Sequence, residues 1–290
     1  MFNKVNKIYF VILILSALLL IIFLSQNFVN KSTKVAATVY PLYDITRNIA
    51  GNDIETVLLL EPGASPHTFD PTPKEIKNLS GSEIVFTIGH GLDDWSLKLA
   101  NSAGVKKTVT VDRSIELLDT NEGVNPHYWL SPKNAMIIAV NIKDELIKAY
   151  PLKQNEIQNN YDVYIKKLEK LDSDITSSIK NLKTNQFATF HNAWDYFAKD
   201  YGLVVTTTFE EFPGREPTSQ YLNEFTNTIK NENIKVIYAE PQFSTAPLLP
   251  IAADLKITLS FLDPIGGTPG KETYIDLMRY NLNQLTSQLK

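Results

Sequence analysis

The residues of this sequence best suited to bind a metal ion are its four histidines and one aspartate. His67 and His127 each follow a proline, which fixes its own φ and restrains the chain beside it. His191 and Asp263 each follow an apolar run typical of a strand, and the fourth histidine is His90. Imidazole and carboxylate groups suit a borderline cation such as Zn²⁺, whose tetrahedral shell accepts nitrogen and oxygen ligands.

The spacing of these residues does not by itself identify a metal site. They lie far apart along the chain and form no short His-x-x-x-His pattern. An ordinary proline-rich connection with a surface histidine is an alternative explanation of residues 62–73, and we expect His90 to be a loop residue near the cleft. Glu240 ends an apolar run, so it is a candidate either to accept an imidazole N–H or to cap a helix. We expect Glu210, Glu211 and Arg215 to belong to a solvated loop.

The composition excludes several classes of protein. The 290 residues are 43% hydrophobic and 21% charged, which is typical of a globular chain. The net charge is -4 and lysine and arginine form no basic cluster, so the sequence does not indicate nucleic-acid binding. The chain has no cysteine, which excludes disulfides, thiolate metal sites and a lipidated amino-terminal cysteine.

Strand-like and helix-like patterns alternate along the chain from residue 34, and this favours parallel sheets of the α/β class. Ligands of such sheets collect outside the carboxyl ends of the strands. His67, His191 and Asp263 are predicted to lie there, with His127 in a comparable loop. We therefore predict two lobes, each with a mostly parallel sheet flanked by helices, whose ligands face each other across a cleft. The predicted strands are residues 35–40, 54–60, 83–88, 105–111, 186–190, 203–208, 234–238 and 257–262. Helices are predicted to begin at Thr72, with Glu75 in the first turn, at Ser131 and at Asn192, because these side chains can cap a first turn.

A long helix is predicted to join the two lobes. Apolar residues recur at three- and four-residue intervals through residues 151–183, and no glycine or proline interrupts them from residue 152 until Gly202. Some thirty helical residues span roughly 45 Å, the length of a whole domain. We predict a first lobe at residues 34–150, this rigid helix, and a second lobe at residues 184–290. A coiled-coil dimerisation helix is the alternative, but we expect a monomer.

The amino-terminal segment, residues 1–33, has the pattern of a membrane anchor or a signal peptide. Lys4 and Lys7 precede residues 8–24, which carry no charge. That stretch is at the low edge of the length that spans a bilayer, and no convincing cleavage site follows it. With the lysines held inside, the rest of the chain would lie outside the cytoplasm on an uncleaved anchor. A cleaved signal peptide, and hence a secreted or periplasmic protein, is the alternative.

Five segments together resemble the metal-binding solute-binding proteins of ABC transporters, the zinc- and manganese-uptake family known as cluster A-I. They occur in the order that this family shows, and the resemblance extends from about Val35 to the end of the chain. The zinc-binding members are the most similar. The five segments are residues 62–73, 125–132, 189–197, 239–243 and 262–267.

The resemblance implies a buried metal ion between two lobes and its delivery to an ABC permease and the ATPase of that permease in the membrane. It also implies the ligands: His67 and His127 from the first lobe, then His191, then Asp263. Relatives that resemble manganese binders usually carry glutamate at the third position, so His191 favours Zn²⁺, with Mn²⁺ as the alternative.

The resemblance further implies that the protein is not an enzyme. The rival hypothesis is a zinc-dependent hydrolase, which needs an open metal position and a general base such as Glu240. A fourth protein ligand, Asp263, argues against it because that ligand would close the shell. A role in cell adhesion, with the metal as a structural element, is a further alternative.

Overall fold

The computed structural model describes residues 33–120, 123–210 and 213–290, together with Tyr9 and Ser16. Lys34–Lys290 forms one unit by its internal contacts. The predicted anchor at residues 8–24 lies outside the described residues, apart from those two positions. Within the part of the chain that is described, no helix is both long enough and apolar enough to cross a membrane. The division into lobes at residues 150 and 184 stays a prediction.

The first half of the unit contains a parallel sheet of four strands in the order β2-β1-β3-β4. Every residue of β3 and three of the four in β1 are buried, as expected for strands covered on both faces. The elements in chain order are β1 (Lys34–Ala37), α1 (Tyr40–Ala50), β2 (Glu55–Leu58), α2 (Pro73–Leu79), β3 (Ile84–Thr87), α3 (Trp95–Ser102) and β4 (Lys107–Thr110).

A short hairpin, two 3₁₀ turns and two long helices follow the first sheet. The hairpin pairs β5 (Asp119–Thr120) with β6 (Gly123–Val124). The first 3₁₀ turn, Tyr128–Leu130, leads into α4 (Pro132–Ala149), and Pro151–Lys153 forms the second before α5 (Gln154–Ile179). Ser131 caps α4 with its side chain and Pro132 occupies the first turn, as the sequence predicts.

The second half repeats the topology of the first. Its four parallel strands lie in the order β8-β7-β9-β10, so in both sheets the first strand lies between the second and the third. The switch point of the second sheet therefore falls between β7 and β9, where ligands of open α/β sheets bind. The elements are β7 (Gln186–Thr189), α6 (Asp195–Tyr201), β8 (Val204–Thr208), α7 (Ser219–Asn231), β9 (Val236–Ala239), α8 (Leu248–Leu255), β10 (Thr258–Phe261) and α9 (Tyr274–Leu289). The predicted fold class is confirmed.

The long helix predicted from the apolar spacing is α5, with 26 residues and a length of about 39 Å. It packs against α1 and α4 from the first half and against α6 and α9 from the second. Its buried residues, three, four or seven apart, form one face of the helix. They are Ile157, Tyr164, Leu168, Leu171 and Ile175. The helix therefore contributes to the packing of both halves.

One predicted helix start is wrong. The sequence predicts a helix capped by Asn192, but α6 begins at Asp195, after Trp194. The amide of Ala193 instead donates to the carbonyl of His191, 2.9 Å away, and closes a tight turn directly after β7. This turn holds His191 at the carboxyl end of its strand.

Candidate metal centre

Three of the four histidines converge on one point. The Nε2 atom of His127 lies 3.0 Å from Nε2 of His67 and 3.1 Å from Nε2 of His191. Neighbouring nitrogens in a tetrahedral zinc shell with Zn–N near 2.0–2.1 Å would be about 3.3 Å apart. Among the described residues, these three are the group of histidine, aspartate and glutamate side chains whose ligand atoms lie close enough to share a metal ion.

The three imidazoles are largely removed from water. His127 and His191 are buried and His67 is half-buried. Burial, together with the positive charge that His191 would carry, lowers the pKa of His67 to about 3. Burial and the neighbouring histidines also hold the pKa of His127 well below its ordinary value. At neutral pH both rings are therefore neutral, which is the state that binds a metal.

Asn125 orients His127. Its side-chain oxygen lies 2.8 Å from Nδ1 of the ring and 3.0 Å from the backbone nitrogen of the same histidine. An amide oxygen only accepts, so Nδ1 carries the proton and the lone pair of Nε2 faces the other two histidines. The Asn125 amide nitrogen donates in turn to the carbonyl of Asn192 and to Asp195, which ties the first half of the chain to the second.

Glu240 contacts the ring of His191. Its Oε1 lies 2.5 Å from Nδ1 of the ring, and both side chains are almost fully buried. The two residues follow β7 and β9, the strands that flank the switch point of the second sheet. A carboxylate facing Nδ1 places the proton there and leaves Nε2 free to bind a metal. Of the two roles that the sequence suggests for Glu240, the structure shows contact with an imidazole.

The structure does not bring Asp263 into this group. Its Oδ2 lies 2.5 Å from the ammonium nitrogen of Lys271, and its Oδ1 accepts from the side chain of Gln242 and from the amides of Ile265 and Gly266. Burial alone would raise the pKa of this carboxyl, but these donors outweigh burial and lower it. Its role as the fourth ligand stays a prediction.

His90 also lies outside the group, and its Nε2 is 2.9 Å from a carboxylate oxygen of Asp112.

Two aromatic rings pack beside the converging histidines. The ring of Trp129 lies 5.2 Å from that of His127, and the ring of Phe243 lies 6.3 Å from that of His191.

Of the three residues expected in a solvated loop, Glu210 is buried, Arg215 is exposed as expected, and Glu211 lies outside the described residues. For Glu210 the expectation is wrong. The Oε2 atom of Glu210 accepts from the amide of Gly214 at 2.6 Å. Burial raises the pKa of the carboxyl, while a charge on His191 would lower it. Glu210 follows β8 closely, as His191 follows β7, and this position at a strand end was the available signal.

Comparison with known proteins agrees with this geometry. The family model described as "Zinc-uptake complex component A periplasmic" (ZnuA) matches residues 35–288. The chain is 30% identical over 291 residues to the zinc-binding protein AdcA of Streptococcus pyogenes serotype M3, with 90% of this chain and 56% of AdcA covered. It thus spans little more than half the length of that relative.

Two further proteins are similar over most of their own length. The high-affinity zinc uptake system protein ZnuA of Bacillus subtilis is 28% identical over 277 residues, with 88% of this chain and 87% of that protein covered. The solved structure of the solute-binding protein FpvC of Pseudomonas aeruginosa, in complex with Mn²⁺, superposes with a TM-score of 0.79 at 27% identity. That superposition covers 89% of this chain and 98% of FpvC. The chain belongs to the ZnuA family of periplasmic zinc-uptake components.

Proposed function

We propose that this protein is the extracytoplasmic solute-binding component of an ABC metal-uptake system and that it captures Zn²⁺ between the two halves of the chain. The observation that carries the proposal is the convergence of Nε2 of His67 and Nε2 of His191 on Nε2 of His127, at 3.0 and 3.1 Å. The low pKa values of His67 and His127, and the lone pairs that face one another at Nε2, prepare the site for a cation. The ion is the cargo of the protein and not a resident cofactor.

The ligand set favours zinc over manganese. Three imidazole nitrogens suit the softer Zn²⁺, whereas Mn²⁺ prefers sites richer in oxygen. AdcA of S. pyogenes and ZnuA of B. subtilis carry zinc in their names, which supports the same choice. Mn²⁺ stays the alternative cargo, since FpvC holds that ion in a similar fold.

Carriage of the ion fits the site better than catalysis does. The cavity at the point where the three histidines converge, bordered also by Glu240 and Phe243, has a volume of only about 10 Å³, so an organic substrate does not fit between the ligand nitrogens. Glu240 is the candidate general base, but it contacts His191. A zinc hydrolase needs both an open metal position and a free base.

The partners that follow are a membrane permease and its ATPase, to which the loaded protein delivers the ion. We further propose that the chain acts outside the cytoplasm as a monomer, tethered through residues 8–24 or released after cleavage of that segment. The names of two relatives support metal uptake and a tether to the membrane. ZnuA of B. subtilis is described as a protein of a zinc uptake system, and AdcA of Streptococcus pneumoniae is described as a lipoprotein. This chain has no cysteine for a lipid, so a tether would be the apolar segment.

Zinc titration of the purified 290-residue chain in a mild detergent tests the proposal. We expect one Zn²⁺ per chain, and we expect His127→Ala to weaken the affinity by at least about a hundredfold. Loss of a residue that only orients a ligand already costs roughly ten- to a hundredfold. The matched control is His90→Asn, which removes a histidine outside the group and should keep the parent affinity. Undiminished one-to-one binding by the His127→Ala chain in isothermal titration would overturn the proposal.

A further inference from the structure

The three-histidine group borders a second cavity, and the fourth histidine lies at that cavity. The cavity has a volume of about 210 Å³ and is lined by His67, His90 and His127. His67 and His127 also line the small cavity at the point of convergence. The cavity at His90 therefore reaches the edges of two ligand rings directly. His67 is the most exposed of the three ligands.

A different cavity near the site does not reach the ligands. It is larger, about 530 Å³, and is lined by Glu210, Glu216 and Phe243, among others, but by none of the three histidines. The ring of Phe243 stacks on Phe190 with centroids 5.0 Å apart, and its edge contacts the ring of His191. Phe243 lines both that cavity and the small cavity at the point of convergence, whereas no histidine of the group lines the 530 Å³ cavity.

His90 is held in a conformation that few side chains adopt. Its φ is 55°, in the left-handed region, and its neighbours Gly89 and Gly91 have φ values of 79° and 84°. A glycine would adopt this conformation without strain; other residues there are uncommon, and asparagine, aspartate and histidine are the most frequent among them. The imidazole is fixed by Asp112, 2.9 Å from Nε2, and by the edge of the Tyr128 ring. The side chain is 21% exposed.

The pairing with Asp112 determines which nitrogen of His90 can bind a cation. An ionised carboxylate only accepts, so Nε2 carries the proton and Nδ1 keeps its lone pair. A histidine whose other nitrogen is held by a carboxylate is the arrangement that orients metal-binding imidazoles in proteins. His90 therefore combines a free lone pair, a fixed ring and a position on the cavity that leads to His67 and His127.

We propose that His90 is a capture ligand, which binds the incoming Zn²⁺ through Nδ1 in this cavity and passes it to His67 and then to the buried group. The proposal rests on the zinc-carrier function above and adds the path of the ion. With only one protein ligand, the ion at His90 keeps most of its water and stays weakly bound. The three-histidine group replaces that water. His90 is then a residue of the path and not of the final site.

A ligand on the path changes rates and not the equilibrium, because it lowers the same barrier in both directions. We expect His90→Asn to slow zinc association and zinc dissociation by a similar factor, about tenfold, and to leave the dissociation constant unchanged. Asparagine tolerates the left-handed conformation, so the fold should survive the substitution. The matched control is Glu216→Gln on the other cavity, which should keep both rates.

The experiment uses the full chain in detergent with zinc alone. Stopped-flow tryptophan fluorescence, to which Trp129 beside His127 contributes, reports association, and mixing with excess chelator reports dissociation. A dye competition gives the equilibrium constant, and an unchanged melting temperature shows that the fold is intact. Unchanged rates in His90→Asn, or faster dissociation with unchanged association, would overturn the proposal. Slower exchange in Glu216→Gln alone would assign the path to the other cavity. Absence of zinc binding by the parent chain would instead overturn the proposed function.

Discussion

Two of the three converging imidazoles are oriented by acceptors of different charge. A neutral amide, that of Asn125, holds Nδ1 of His127, whereas the carboxylate of Glu240 holds Nδ1 of His191. The carboxylate of Glu240 adds a negative charge at Nδ1 of His191, on the other side of this ring from the Nε2 atom that would bind a cation. This charge stabilises the ion and also restricts which residue is tolerated at position 191.

A prediction about metal preference follows at this residue. Replacing His191 with glutamate supplies an oxygen ligand suited to Mn²⁺, but the new carboxylate would face that of Glu240 in a buried place. We expect His191→Glu alone to lose affinity for zinc and for manganese alike, so that the ratio of the two affinities stays near that of the parent. We expect the double variant with Glu240→Gln to shift the ratio of manganese to zinc affinity upwards by roughly tenfold, since one nitrogen becomes an oxygen.

Competition titrations of Zn²⁺ against Mn²⁺ measure that ratio for the parent and both variants. The Glu240→Gln chain is the control, and it should weaken zinc binding by roughly ten- to a hundredfold while keeping the preference for zinc. If the single and the double variant showed the same ratio, Glu240 would have no part in metal preference.

At the scale of the element, the loop after β10 is organised by Asp263. Asn281 of α9 accepts from the backbone nitrogen of Asp263 and donates to its carbonyl, at 2.8 Å in each case. The carboxylate of Asp263 accepts from the ammonium group of Lys271 and from the amides of Ile265 and Gly266. One carboxylate thus holds the end of a strand, the following turn and the approach to α9.

The prediction for this loop separates a structural role of Asp263 from a ligand role. We expect Asp263→Asn to lower the free energy of unfolding of the metal-free chain by about 1–3 kcal/mol, because it leaves Lys271 buried without its counter-charge. Chemical denaturation measures that loss, and Lys271→Met is the companion variant. A metal-free stability equal to that of the parent, combined with a zinc affinity reduced by about a hundredfold or more, would identify Asp263 as a ligand.

At the scale of the molecule, two sheets of the same strand order share one long helix. Because α5 packs against helices of both halves, a wide opening of the cleft would have to break contacts along a buried face. Metal release should therefore need only small shifts of the loops and helices around His191 and Asp263, of the 1–2 Å kind seen in helix shifts.

Spin labels test this prediction directly, since the chain has no native cysteine. Cysteines introduced at the exposed residues Leu97 of α3 and Leu249 of α8 place one label on each half. We expect their distance to change by no more than about 2 Å when zinc is added to the full chain. A pair at Leu97 and Val163 of α5 is the control. A shift several times larger between the two halves would show hinge closure.

The sequence by itself determined what depends on neighbouring residues. Alternating apolar and helical patterns predicted both parallel sheets, and uninterrupted apolar spacing predicted α5. Thr72 and Glu75 predicted the start of α2. There the Glu75 side chain accepts from the backbone amide of Thr72, and the Thr72 side chain accepts from the backbone amide of Lys74. Such bonds act within one turn, so they can be read from the chain. The family motifs then selected the three histidines that the structure brings together.

Only the tertiary structure decided which charged groups face one another. Glu240 meets His191 across adjacent strands, although 48 residues separate them in the chain. Asp263 was predicted as a ligand, yet its oxygens are bound by Lys271 and Gln242. Glu210 looked solvated until packing buried it. Burial and charge pairing depend on which elements pack together. The free energy of burying or pairing a charge is a sum over contacts with residues far away in the chain, so no short stretch of sequence contains it.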